Sequence, residues 1–276
     1  MVSTNSAALS AVRVRLDETT LYDWTMRVPI VVYALFVLTD DVINFYHQTA
    51  TQQLAFHGLD SGIAVAAMAR VSEWIFVLLL AVFQLFRLRP IRKSDQIWPR
   101  LLALMAVCLI PIFMLLERAP ANIGFNSAAV VLALVANIMC AVTISYLGRS
   151  LSIMPEARSL VTSGPYALVR HPLYLCEIIG VFAIVLQYRS LLAIGLLVVF
   201  VSSQILRGRV EEAVLVRAFP DFSSYQACTS FLVPRDPARF LAIFALDPSM
   251  RRRSAIVIGS TVMISALALA VALMSG

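Results

Sequence analysis

Seven apolar runs separated by short, basic loops constrain this chain more than any other feature. Lipid offers a backbone polar group no partner, so a run of this kind crosses a bilayer only as an α-helix. The runs lie at about 28–46, 63–86, 101–116, 126–147, 173–187, 190–206 and 254–274. Apolar residues make up 60% of the 276-residue chain and charged ones 14%, with a mean hydropathy of +0.85. These values exclude a soluble domain and predict an all-α, polytopic membrane bundle.

The charge pattern supports topology rather than nucleic-acid binding. The net charge is +6, from 22 basic and 16 acidic residues. Of the 22, 19 fall in the N-terminal arm and in the segments 87–100, 148–172 and 207–253, all on one side of the membrane if the seven runs are spans. That side is expected to be cytoplasmic, with the N-terminus inside and the C-terminus on the opposite face. The arm has no apolar stretch of signal-peptide type near its start. Cys108, Cys140, Cys176 and Cys228 show no CxxC spacing and are expected to be free thiols, with no metal site.

The organisation follows. Residues 1–125 hold the arm and three spans, 126–253 form a core carrying the chemistry, and 254–276 form a final span. Tyr188, Arg189 and Ser190 make a polar turn, so 171–206 is predicted to be a helical hairpin. The run at 240–246 is too short to span and is expected along the interface.

Two clusters carry chemistry. At the lip of the hairpin stand Gly164-Pro165-Tyr166 and Arg170-His171-Pro172-Leu173-Tyr174; beyond its second arm stand Arg207, Arg209, Glu211 and Glu212. Alone, each has an ordinary explanation: interfacial anchors, a helix-start proline, a solvated ion-paired face, aromatic-belt tyrosines. Together, two polar clusters at one membrane level suggest a divided binding site. Elsewhere ordinary roles are expected: Asp40 and Asp41 at a water-facing helix end, Arg70 paired with Glu73, and Asn137 bonded between helices.

These motifs, with Leu215, Phe219, Tyr225 and Val233-Pro234, resemble the C-terminal half of the isoprenylcysteine carboxyl methyltransferase family, part of a wider group that includes phospholipid N-methyltransferases. The resemblance covers about residues 140–235. It implies a cytoplasmic-face site for S-adenosylmethionine walled by Tyr166, His171, Pro172, Tyr174, Glu211, Glu212 and Tyr225. Arg170, Arg207 and Glu211 would serve the transfer, and the acceptor would be a lipophilic or prenylated molecule arriving among membrane lipids. Where the family often has Phe-Gly and two tyrosines, this chain has Phe219-Pro220-Asp221-Phe222 and Tyr225.

The residue types suit that chemistry. Carboxylates accept from a ribose diol or an ammonium, and aromatic faces suit adenine or a sulfonium. A carboxylate nucleophile is ionised and needs only a cation to hold it, for which an arginine fork is suited, whereas an amine needs a base. Carboxyl O-methylation therefore stands first and phospholipid N-methylation second. An NADPH-dependent membrane sterol or enone reductase and a non-enzymatic scaffold are the remaining alternatives.

Overall fold

The computed structural model describes residues 3–48, 61–94, 98–113 and 123–275. It is helical almost throughout: α1 (Ser3–Gln48), α2 (Ser61–Leu85), α3 (Trp98–Phe113), α4 (Ile123–Leu147), α5 (Pro172–Tyr188), α6 (Leu191–Ala218), α7 (Phe222–Cys228), α8 (Pro237–Leu246) and α9 (Pro248–Ser275). Among the described residues, five stretches are long and apolar enough to cross a membrane: Arg27–His47, Ser61–Leu85, Asn126–Ser150, Leu191–Ala218 and Pro248–Met274. The other two expected spans are shorter. Helix α5 has 17 residues, about 25 Å at the α-helical rise, and α3 has 16. The end of the expected 101–116 span lies outside the described residues.

The helices form a ribbon in which α1 packs on α2, α2 on α4, α4 on α5, α5 on α6 and α6 on α3, while α9 lies against both α2 and α4. The predicted hairpin is α5–α6. Arg189 closes α5 in the left-handed region (φ 48°), and Ser190 caps α6 by accepting from the Ala193 N–H at 3.1 Å. Such a cap contributes on the order of 1 kcal/mol. At 28 residues α6 is about 42 Å long, roughly 12 Å more than a hydrocarbon core. Counted from Leu191 at one face, its last two turns, Glu211 to Ala218, therefore project beyond the bilayer, with Arg207 near the interface, before Pro220 bars further helix.

Outside the spans, three connections draw the basic loops together. Residues 92–93 pair antiparallel with 156–157, Arg92 opposite Ala157 and Lys93 opposite Glu156. Leu88 N–H donates to the Arg149 carbonyl at 2.7 Å. Further along, Arg170 N–H donates to the Ser230 carbonyl (2.9 Å) and His171 N–H to that of Phe231 (3.1 Å). Below this layer, Met139, Cys140, Ile144, Leu151, Val169, Leu173, Cys176 and Phe240 form a buried core. Phe240 comes from α8, the expected interfacial segment, whose first turn is capped by Asp236 accepting from Arg239 N–H at 2.9 Å.

Two expectations within the spans change. Asp41 is not at a water-facing end: it accepts from Trp74 Nε1 at 2.7 Å and pairs with Arg70, so Arg70 binds across α1 and α2 rather than Glu73 on its own helix. A charge among apolar helices is neutralised by pairing with a carboxylate on the facing helix. Asn137 does bond between helices, donating to the Ala69 carbonyl at 3.4 Å. Cys140, Cys176 and Cys228 are free thiols.

Candidate functional site

The site sits where the α5 N-terminus, the projecting end of α6 and the loops at 148–171 and 219–231 meet. Gly164 starts the 3₁₀ turn Gly164–Ala167 with φ 61°, and a Cβ there would run into the Tyr146 ring. Both facts call for glycine. The turn aims Tyr166 inward, and Pro172 then opens α5 at its first position, where a missing N–H costs nothing.

Two cavities result. The larger, about 510 Å³ including its open mouth, is lined by residues that include Glu156, Arg158, Tyr166, Arg170, His171, Glu211, Phe222 and Tyr225. The smaller, about 220 Å³ with its open mouth included, is a shallow cleft lined by Pro99, Ala103, Ile153, Met154, Pro155, Tyr174, Arg207, Val210 and Glu211. Glu211 is common to both linings, so the two cavities meet at its side chain.

The expected site residues thus divide into three groups. Tyr166, Arg170, His171, Glu211 and Tyr225 face the larger cavity; Tyr174 and Arg207 face the smaller. Glu212 and Pro172 lie behind these walls, outside both linings. Glu212 is a buried brace: Oε1 accepts from Arg170 Nε at 2.6 Å and lies 3.3 Å from His171 Nε2, while Oε2 accepts from Gln226 Nε2 at 3.1 Å. Arg170 Nη1 also donates to the carbonyls of Thr229 (2.5 Å) and Gln226 (3.0 Å). Its guanidinium therefore ties α5 to α6 and to the chain after α7.

His171 is held on every side. Its ring stacks on Tyr174 (centroids 5.2 Å apart, 4° between planes) and meets the edge of Phe231 at 4.9 Å. Close approach of α6 depends on Gly208, where a Cβ would lie 2.8 Å from the Phe231 ring and 3.2 Å from His171 Nε2. Tyr174 Oη donates to Glu211 Oε2 at 2.9 Å. The Arg207 guanidinium lies 4.9 Å from the Tyr174 ring centre and donates to Gln204 Oε1 at 2.8 Å, contacts that fix a cation on the lining of the smaller cavity beside the Glu211 carboxylate.

Two tyrosines remain neutral donors. Burial, reinforced by the charge of Glu211, pushes the Tyr166 phenol well above its ordinary range. Burial likewise raises Tyr225, against the opposing pull of Arg170; its hydroxyl donates to the Tyr166 carbonyl at 2.6 Å.

Sequence reasoning missed Glu156 and Arg158. They form a buried ion pair on the cavity wall, and the signal was slight: two charges two residues apart after Pro155, a spacing that shares one face only in extended chain. Phe222 and Phe231 gave no sign of their roles.

Residues 123–221, the stretch that supplies most of both linings, match the family model described as phospholipid methyltransferase. Over this stretch the chain is similar to the phospholipid methyltransferase family. The matched segment contains both motif clusters, from Gly164 to Tyr174 and from Arg207 to Glu212, and stops short of Tyr225. Among curated proteins, the chain is 35% identical over 118 residues to the cobalt-zinc-cadmium resistance protein CzcN of Cupriavidus metallidurans, covering 42% of this chain and 51% of that protein. It is 36% identical over 107 residues to the nickel-cobalt-cadmium resistance protein NccN of Alcaligenes xylosoxydans xylosoxydans, covering 38% and 46%. The chain spans about half the length of these relatives.

Proposed function

We propose that this protein transfers a methyl group from S-adenosylmethionine to a lipophilic acceptor at the membrane surface, with a carboxyl group as the first-choice acceptor. The observation that carries this reading is the pair of cavities sharing Glu211, within a segment of methyltransferase family. The larger cavity suits the cofactor. Glu211 commits Oε2 to Tyr174 and has Oε1 as a further acceptor, and the buried tyrosines supply donors and aromatic faces. Bound there, S-adenosylmethionine would supply an electrophilic methyl group.

The smaller cavity suits the acceptor. Pro99, Ala103, Ile153, Met154, Pro155 and Val210 give apolar walls, and Arg207, fixed by Gln204 and the Tyr174 ring, gives a cation. That combination holds a carboxylate on an apolar body, which is already ionised and needs no base. Holding it in line with the methyl donor accounts for most of the catalysis expected. Arg170, on the lining of the larger cavity, and Glu212, behind it, keep His171 and the chain after α7 in place.

Phospholipid N-methylation is the second reading, favoured by the description of the matching family model. In that case Glu211, beside Arg207, would accept the proton of the amine. The deciding experiment is transfer of labelled methyl from the cofactor into extracted lipids, followed by alkali. A label lost to alkali identifies an ester; a stable label identifies an amine product. Thermal stabilisation in detergent by NADPH, with none by S-adenosylmethionine or S-adenosylhomocysteine, would reject both readings in favour of a reductase.

A further inference from the structure

Glu156 and Tyr166, which line the larger cavity, each carry a buried polar atom that the fold leaves without a hydrogen-bond partner, Glu156 Oε1 and Tyr166 Oη. Both residues are about 5% exposed. Glu156 is held firmly, with its backbone in the pairing of 92–93 with 156–157 and Oε2 accepting from Arg158 Nη2 and from Ser152 Oγ at 3.4 Å. One carboxylate oxygen is thus anchored by a guanidinium and the other kept bare. Leaving a buried acceptor and a buried donor unsatisfied on residues that line one cavity is costly unless a ligand meets them.

We propose that Glu156 and Tyr166 hold the amino-acid end of the cofactor, Glu156 Oε1 accepting from its ammonium and Tyr166 Oη donating to its carboxylate. The assignment rests on the methyltransferase reading above and adds Glu156 to the binding residues. The alternative ligand for Glu156, a ribose diol, calls for acceptors alone. The cavity lining offers a carboxylate, a guanidinium paired with it and a phenol donor, which together match a zwitterion. Glu211 Oε1 remains for the diol.

The test is calorimetric binding in detergent of S-adenosylhomocysteine and of 5′-methylthioadenosine, which keeps the nucleoside and thioether but lacks the amino-acid end. Glu156→Gln is expected to weaken S-adenosylhomocysteine about tenfold or more while 5′-methylthioadenosine binds as before. Equal weakening of the two ligands, or unchanged S-adenosylhomocysteine affinity, overturns the assignment. Tyr166→Phe provides the same comparison without disturbing the Glu156–Arg158 pair. It is expected to weaken S-adenosylhomocysteine by roughly threefold or more and to raise the melting temperature of the ligand-free protein, since it removes an unsatisfied hydroxyl. Unchanged S-adenosylhomocysteine affinity in Tyr166→Phe likewise overturns it. If the wild type binds neither compound, the methyltransferase reading itself fails and this assignment with it.

Discussion

At the scale of single residues, the site depends on contacts with no spare room. Gly208 is the sharpest case, because a methyl group there would press on both the Phe231 ring and His171 Nε2. Overpacking of this kind costs about 1–3 kcal/mol. Gly208→Ala is therefore expected to lower S-adenosylhomocysteine affinity roughly tenfold or more, read by calorimetry, with the helical circular dichroism unchanged. Arg170 is equally exacting. Its Nε and Nη1 reach Glu212 and two carbonyls in different directions, a fan that a lysine ammonium cannot reproduce. Arg170→Lys should speed hydrogen exchange or proteolysis in 226–231 selectively, and equal protection in mutant and wild type would show that the tie is dispensable.

At the scale of elements, the hairpin was readable from its turn and the projection of α6 from its length, because both follow from local pattern. Tyr188, Arg189 and Ser190 interrupt an apolar run, and Arg207 to Glu212 continue it in charged helical register. What was not readable was pairing between loops. Residues 92–93 and 156–157 lie more than 60 apart and neither segment has a period, so nothing local announces their register. The division of the expected wall into two cavities was hidden for the same reason: it depends on how far α3, carrying Pro99 and Ala103, leans on α6. Helix α8 gives a prediction at this scale. Phe240 fills the core under the site at 3% exposure, so Phe240→Ala is expected to destabilise the protein by about 3–5 kcal/mol, measured as a lowered thermal transition in detergent. An unchanged transition would mean that α8 merely rests on the core.

At the scale of the whole molecule, charge and helix lengths suggest one orientation. The loops that build the site carry most of the basic residues, and the bias towards basic cytoplasmic loops would put the cavities on that side. A single cysteine placed at Ser230 in a cysteine-free background is expected to react with an impermeant maleimide only from the cytoplasmic face, and one at Ser190 only from the other. Labelling of both from one face would contradict the orientation.

The shared wall at Glu211 has one more consequence, for how such proteins diversify. Apart from Phe222 and Tyr225, every residue lining the larger cavity lies within 123–221, whereas the smaller cavity borrows Pro99 and Ala103 from α3, outside the matched stretch. Changing the flanking helix alone would reshape one chamber and leave the other nearly intact. On the proposed assignment of the two cavities, a lineage built on this plan can exchange what it modifies while inheriting what it modifies with.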